Sequence, residues 1–447
     1  EPVRASGASY IAGGRTTGGP AHDTYDALAV NVARDLLGVS HMDCVLCHDG
    51  AGHLESLNLW GAGAKRAEGW GLAAFFQKVQ LARAPYVVQR DVGNPIRPPY
   101  YVVQELPQGL VLRNRRGEVT AGAYSLGVEG GNRPDRLASD NGGVAQVSPK
   151  YPFGGGEPAP GEPYRVALGR LLTADRQFAR ATVNYVWREF FGRGIVDPVD
   201  QFDLARLDPK APPADPWTIQ PSHPEMLEFL ADGFIENGFD LRWLMREIAA
   251  SETYQLSSRY DGAWSPSYEP YLARHAVRRL GAEALFDAVT VATGAVLDLP
   301  IPGLTQQALG ALQFAMQLPD VQNMPTPARN RPGGDLASGF LDAFFRGDRE
   351  QSPRSSEISI LQALHLMNNP LVVERIAASA ERGLYSQWLS LSDEELAQML
   401  YLQTLTRPAT PEELGAAVAF LRGGDRRQRV EDLAWTLLNK VDFVFNY

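Results

Sequence analysis

Cysteine is nearly absent from this chain. Two residues among 447, Cys44 and Cys47, exclude a disulfide framework. No run approaches the roughly 18 consecutive apolar residues of a membrane-crossing helix, so no transmembrane segment is expected. Basic charge is in deficit: 42 Lys and Arg stand against 52 Asp and Glu, a net charge of -10. Nucleic acid is thereby excluded as an expected partner, because phosphate binding needs a basic face. Segment 1–19 is Gly-rich and has no apolar stretch of signal-peptide type. The expectation is a chain that starts after processing, or a fragment. Also missing are a G-x-S-x-G elbow, a Walker loop, a dinucleotide fingerprint, a carboxylate pair at glycosidase spacing and any repeat of solenoid period. What remains is ordinary globular composition, 44% hydrophobic and 21% charged. Such a chain supports a sizeable core without staples.

Both cysteines fall in one pentapeptide, Cys44-Val45-Leu46-Cys47-His48. In C-x-x-C-H the two thiols can form thioethers with two haem vinyl groups. The adjacent imidazole can then bind the iron from the same loop. The expected cofactor is one covalent haem c on Cys44 and Cys47, with His48 as proximal iron ligand. Attachment of this kind requires an extracytoplasmic address: periplasmic, cell-surface or extracellular. One rival is a zinc tetrahedron of His41, Cys44, Cys47 and His53. Another is a redox dithiol, which would follow a strand in a βαβ setting, whereas a helical pattern precedes this motif. His53 is the candidate distal ligand. It lies five residues beyond His48, and five extended residues reach at most about 17 Å. His41 and Met42 are nearer the anchor and have a shorter reach. For His223, His275, His365 and Met367 the plain reading is core packing or capping. An open or water-bound sixth position is a further alternative.

Length sets a prior of roughly three domains of about 150 residues, and the character of the chain changes twice. Residues 1–84 read as a haem-binding helical segment. Tyr25, Leu28, Val32 and Leu36 give residues 21–39 a helical period that Gly38 would stop. Leu72, Phe75, Phe76 and Val79 suggest a helix over residues 71–83. Residues 85–163 read as a β-rich, loop-rich module, with short strands at 100–103 and 110–112 and a turn at 114–117. Residues 164–447 read as a larger helical domain. Its expected helices include one along Phe178, Val183, Val186, Trp187 and Phe190 that ends at Gly192. Others start at Ser222 and Asp240, the latter with Leu241, Leu244, Met245 and Ile248 inward, and a further one covers 272–293. Residues 295–350 are loop-rich, and three to five helices close the chain. Capping boxes stand at Ser392 to Glu395 and at Thr410 to Glu413. The fold class is mainly α, with a small β-rich module between two helical parts.

The stretch LLGVSHMDCVLCHDGAGHLESLNLWG resembles a cytochrome c-like domain of unknown function, DUF1549, common in Planctomycetes and Acidobacteria. Downstream, RLLTADRQFARATVNYVWREFFGRGIVDPVDQFDLARLD, QPSHPEMLEFLADGFIENGFDLRWLMREIAASETYQLSSRY and ILQALHLMNNPLV resemble its usual partner, DUF1553. The resemblance runs over residues 21–447 and starts partway through the first domain. It implies an exported protein with a single C-x-x-C-H, and it carries over to Cys44, Cys47 and His48. It departs from the common pattern where a second histidine often follows two residues after the haem histidine. This chain has Asp49-Gly50 there, and His53 comes later.

The expected function is a one-haem electron carrier that works with a redox protein partner or by self-assembly. One alternative is a haem enzyme, a peroxidase, an oxidase or a redox module serving polysaccharide breakdown, with an open sixth site. Another is a cell-surface binding protein braced by haem. The acidic run Glu189, Asp197, Asp200, Asp203 and Asp208 reads as solvated loop carboxylates, with calcium as the alternative. Tyr100, Tyr101 and Tyr151 read as buried strand residues, or as a surface for a polysaccharide partner.

Overall fold

A computed structural model of the chain describes residues 10–11, 14, 21–83, 101–106, 111–113, 119–121, 124–127, 136–299, 312–318, 334–346 and 359–446. Helices dominate, and the strands form only two-stranded pairs among the described residues, which is the mainly α class expected. Contacts divide these residues into two compact units, one up to residue 276 and one from residue 277.

In the first unit, α1 (Ala21–Asn31) runs into a π-turn at Val32–Leu36. Tyr25, Leu28 and Val32 are buried, as their spacing predicts. Gly38 ends the run at φ 69°. Its N–H donates to the Arg34 carbonyl (2.9 Å) and the Val39 N–H to Ala33 (2.8 Å), a Schellman-type stop that favours glycine. Three short helices follow: α2 (Met42–Cys47), α3 (Leu59–Gly63) and α4 (Arg66–Ala73).

The helix expected over 71–83 does not form as such. Leu72, Phe75 and Phe76 are buried on α4 and the 3-10 turn after it, but Val79–Arg83 is a strand, β1. It pairs antiparallel with β2 (Tyr101–Glu105), Val79 opposite Glu105. A partner some twenty residues away overrides the local helical period. Next, β3 (Val111–Arg113) pairs with β4 (Val119–Ala121), and the turn expected at 114–117 lies outside the described residues. The pair β5 (Tyr124–Ser125) and β6 (Gln146–Val147) is shorter still. Tyr151 is buried and its hydroxyl donates to Asp175 (2.8 Å), so it lines no exposed surface. Tyr100 and the Tyr101 side chain lie outside the described residues.

Asp175 separates α5 (Tyr164–Ala174) from α6 (Arg176–Phe191) and caps the second through the Gln177 N–H. Gly192 closes α6 at φ 76°. Trp187 stacks on Phe191 with centroids 4.1 Å apart. Next come α7 (Pro224–Glu236) and α8 (Leu241–Ala250). Ser222 does not cap α7. His223 holds the cap position, and the Ser222 hydroxyl donates to the Ile195 carbonyl (3.1 Å). On α8, Leu244 and Ile248 are buried while Leu241 and Met245 are exposed. Burying a side chain as fully as Trp70, Phe202 or Phe234 contributes about 1.5–3 kcal/mol.

In the second unit, β7 (Arg278–Arg279) pairs with the strand Phe445–Asn446, β8. Between them lie α9 (Ala282–Thr293) and α10 (Gly334–Ala343), then α11 (Ile360–Asn368), α12 (Pro370–Arg382) and α13 (Asp393–Leu405). The last helices are α14 (Pro411–Leu421), α15 (Arg426–Leu438) and a single turn, α16 (Val441–Val444). Six described helices thus follow residue 359, where three to five were expected. The helix expected from 272 begins at Ala282. Both capping boxes form, with the Ser392 and Thr410 hydroxyls accepting from the Glu395 and Glu413 amides. Phe286, Phe340 and Phe344 make the centre of this core.

Candidate functional site

The C-x-x-C-H motif is held by segments far away in sequence. Just before it, residues 38–40 pair antiparallel with residues 200–202. The Phe202 N–H donates to Gly38 (2.8 Å), the Ser40 N–H donates to Asp200 (2.8 Å), and Val39 bridges Gln201. A Cβ on Gly38 would lie 2.5 Å from the Phe202 ring, so this crossing needs glycine. The Gln177 side chain also donates to the Leu37 carbonyl (2.8 Å), fastening α6 to the same corner.

The motif itself forms α2. Met42, Val45 and Leu46 are buried. Gly69 of α4 lets them approach: a Cβ there would meet Leu46 at 3.0 Å and the Met42 sulfur at 3.5 Å. Met42 is therefore a core residue. Cys44 and Cys47, three apart and so on one helix face, are half-buried and not joined in a disulfide. Burial, then the charge of Asp43 and the neighbouring Cys47, pushes the Cys44 thiol up. An activated dithiol would show the opposite shift.

His48 leaves the helix in extended conformation (φ -156°, ψ 160°), its N–H donating to the Cys44 carbonyl. Its Nδ1 lies 3.2 Å from the Asp49 carbonyl. An N–H on Nδ1 donates there and leaves Nε2 with its lone pair. Metal-binding histidines use this arrangement. Asp49 accepts from the Arg66 N–H (2.9 Å) and from Lys65 Nζ (3.0 Å). These contacts, the Arg66 amide foremost, hold its carboxyl below the usual range.

Exposed His53 stacks on His48, with ring centroids 3.8 Å apart and planes at 27°. His41 sits half-buried at the start of α2, its Nδ1 3.4 Å from Asn58 Nδ2. Burial lowers its pKa, against the opposing pull of Asp203 and Asp200. Among the described residues no three His, Cys, Asp or Glu side chains converge as a metal-holding group. The zinc tetrahedron of His41, Cys44, Cys47 and His53 is accordingly not assembled, nor is a calcium cage around 189–208. The remaining candidates are used elsewhere. His223 Nδ1 meets the Ser222 hydroxyl at 3.0 Å, and buried His275 packs on Tyr254 at 5.3 Å. His365 and Met367 belong to the second unit. There His365 meets the Asn369 side chain at 2.5 Å and faces an open concavity of about 590 Å³ with Phe345, Leu361 and Leu364.

Asp203 is not a solvated loop carboxylate. It is 1% exposed, and its two oxygens accept the Leu59 N–H (2.7 Å) and the Trp60 N–H (2.9 Å) at the start of α3. Its run-mates behave otherwise. Asp197 pairs with Arg193, Glu189 with Arg188, and Asp208 accepts the Lys210 amide. Asn58 completes the join, donating to the Phe202 carbonyl (3.1 Å) and accepting from the Gly61 amide (2.7 Å). Sequence reasoning missed Asp203 and Asn58, since no local spacing signals contacts 144 residues apart.

A family model described as a protein of unknown function, DUF1553, matches residues 164–421. No curated protein and no solved structure matches the chain. The matched region is more than half of the 447 residues, and it takes in the segment 200–203 that grips the motif. The chain belongs to the DUF1553 family.

Proposed function

We propose that the chain is a one-haem c-type protein that carries single electrons outside the cytoplasm. The observation that carries this reading is the donor set on α2. Two unbridged cysteines share one helix face, and the next residue is a histidine whose Nδ1 faces a carbonyl. These residues fit covalent haem. Cys44 and Cys47 would form the thioethers, and His48 Nε2 would bind the iron. When bound, the haem supplies a reversible one-electron couple. The protein's own residues orient the proximal imidazole through the Asp49 carbonyl and bury one side of the motif through Met42, Val45 and Leu46.

His53, whose ring lies against His48, is the candidate for the second iron ligand in this reading, with an open sixth position as the alternative. Rings 3.8 Å apart leave no room for a porphyrin between them, so His53 would have to move away from His48 to take that role. A bis-histidine pair holds the potential low. One haem passes one electron at a time, so a redox protein partner or an array of copies is required. The resemblance of residues 36–61 to the DUF1549 type supports the same reading.

The test is expression of the exported chain in a host that attaches haem c, followed by denaturation. Mass and pyridine haemochrome should show one retained haem, lost in the Cys44→Ser, Cys47→Ser double variant. Wild-type protein that keeps no haem after denaturation refutes the reading.

A further inference from the structure

We propose that the loop from residue 257 to residue 275 carries a binding site for acidic sugars, chains of uronic acid units, built from Tyr260, Trp264, Tyr268 and Arg274. Haem plays no part in it. The loop closes on itself at its base, where the His275 N–H donates to the Ser257 carbonyl (3.1 Å). Buried His275 packs edge-on against Tyr254 (5.3 Å), and Tyr254 packs edge-on against Phe190 and Phe191 of α6 (5.2 and 5.7 Å). The base is thus anchored in the core of the first unit. Inside the loop a 3-10 turn, Pro266–Tyr271, is capped by the Ser265 hydroxyl, which accepts from the Ser267 N–H (3.3 Å). Compact surface loops with joined ends and a firm base are common places for ligand sites.

Three rings meet within the loop. Trp264 stands edge-on to Tyr260 (5.3 Å, 76°) and to Tyr268 (5.9 Å, 86°), and the two tyrosines lie 5.9 Å apart. Rings that served only to fill the loop would be buried, yet Tyr260 and Tyr268 stay 39% and 38% exposed. Their hydroxyls bond no group among the described residues. Arg274 places its guanidinium over the Trp264 ring, 3.9 Å from the centroid. That contact engages one face of the guanidinium plane and leaves the N–H donors at its edge. None of those donors has an acceptor among the described residues, and the loop's own acids, Asp261 and Glu269, form no ion pair with it. In a chain of net charge -10, a cation seated on a ring and left without a carboxylate is complementary to one from outside. One ligand class uses all three features. The C–H face of a sugar ring packs on the tyrosines, its hydroxyls bond the phenol groups, and a uronate carboxylate takes the guanidinium edge. A neutral sugar leaves the cation unused, and a proline-rich segment brings carbonyls but no carboxylate.

Titration calorimetry of the full chain tests this, with trimers of galacturonate, glucuronate and mannuronate, each run beside its methyl ester. At least one trimer should bind, and its uncharged ester should bind about tenfold more weakly. Arg274→Gln should lower the affinity for the acid to that for the ester and leave the ester unchanged. Tyr268→Ala should weaken acid and ester alike, by about tenfold. Arg382→Gln, which removes an exposed arginine of the second unit, should match the wild type. No heat from any trimer at concentrations up to about 10 mM overturns the inference. So does an ester that binds as tightly as its acid, or an Arg274→Gln chain that binds the acid like the wild type. Binding of a proline-rich peptide without binding of any uronate also overturns it, and makes the loop a protein-docking site. Should Tyr268→Ala fail to fold by circular dichroism, Tyr260→Ala gives the same two readings.

Discussion

Acid should destabilise the first unit through one buried imidazole. His22 is 0% exposed on α1, its Nε2 accepting the Ser125 N–H at 3.2 Å. Its ring packs against Tyr124 (4.9 Å) and Tyr25 (6.1 Å). Burial first, then the Arg136 guanidinium, lowers its pKa to about 3. Arg136 is itself bound to Asp26, which also accepts the Tyr124 hydroxyl. Folded His22 thus stays neutral down to about pH 3, while the unfolded chain takes up a proton near 6.5. The unfolded state binds more protons between these values, so stability is whole above pH 6.5 and drains as the pH falls toward 3. One proton gives about 1.4 kcal/mol per pH unit, or about 2 kcal/mol between pH 7 and pH 5. His22→Gln keeps an acceptor for the Ser125 amide and does not titrate. Urea unfolding of both chains at a series of pH values should show the variant losing about 2 kcal/mol less over that range. The carboxylates and the other depressed imidazoles, His41, His223 and His365, cancel in the difference. Parallel stability curves for the two chains would refute the assignment.

Two further substitutions probe the frame. Gly50→Ala would place a Cβ 1.7 Å from the Gly61 carbonyl oxygen, forcing the 49–64 loop open. It should cost about 1–3 kcal/mol in urea unfolding, whereas Gly63→Ala, with nothing within 4 Å, should be neutral or mildly stabilising. In the second unit, Arg407 (2.7 and 2.9 Å) and Lys440 (2.5 Å) hold the Glu413 carboxyl well below the usual carboxylate range, the Arg407 contact foremost. Its folded pKa is depressed, so its stabilisation is present above about pH 4.5 and lost below. Glu413→Gln should lower stability at neutral pH by about 1 kcal/mol, after allowing for solvent screening, and should flatten the acid limb of the thermal-unfolding profile.

What the sequence made legible is what local chemistry decides. Gly38 and Gly192 end helices because their backbones turn left-handed at the stop. Ser392 and Thr410 cap because the glutamate three residues on completes the box. The two thiols and His48 sit together because they are consecutive on one helix and its cap. Where a partner is distant, the reading failed. Val79 carries a helical period, yet Glu105 and its neighbours draw the segment into a strand. Ser222 sits where a cap should be, yet Ile195 takes its hydroxyl. Leu241 and Met245 suggested a wider apolar face than α8 buries, since only Leu244 and Ile248 meet the core. Asp203 looked like one more loop acid, because nothing near it in sequence tells of the amides at 59 and 60.

The same contrast bears on where the functional unit lies. A composition shift near residue 163 marks the start of the matched family region, while the contact boundary falls at 276. The two describe different things. The first follows the character of the sequence, and the second follows what holds what. Residues 164–276 carry α6, whose Gln177 side chain donates to Leu37 and whose Tyr185 hydroxyl donates to the Arg34 carbonyl (2.5 Å). They also carry the 200–203 segment that joins both flanks of the motif. A C-x-x-C-H pentapeptide fixes chemistry but not surroundings, and a helix of six residues is too short to hold its own shape. Its core side is packed against α4, and its flanks are fastened by the leading part of the DUF1553 region. That dependence gives a physical reason for the motif and the family region to occur together in one chain: buried Asp203 places its two oxygens on the amides of residues 59 and 60.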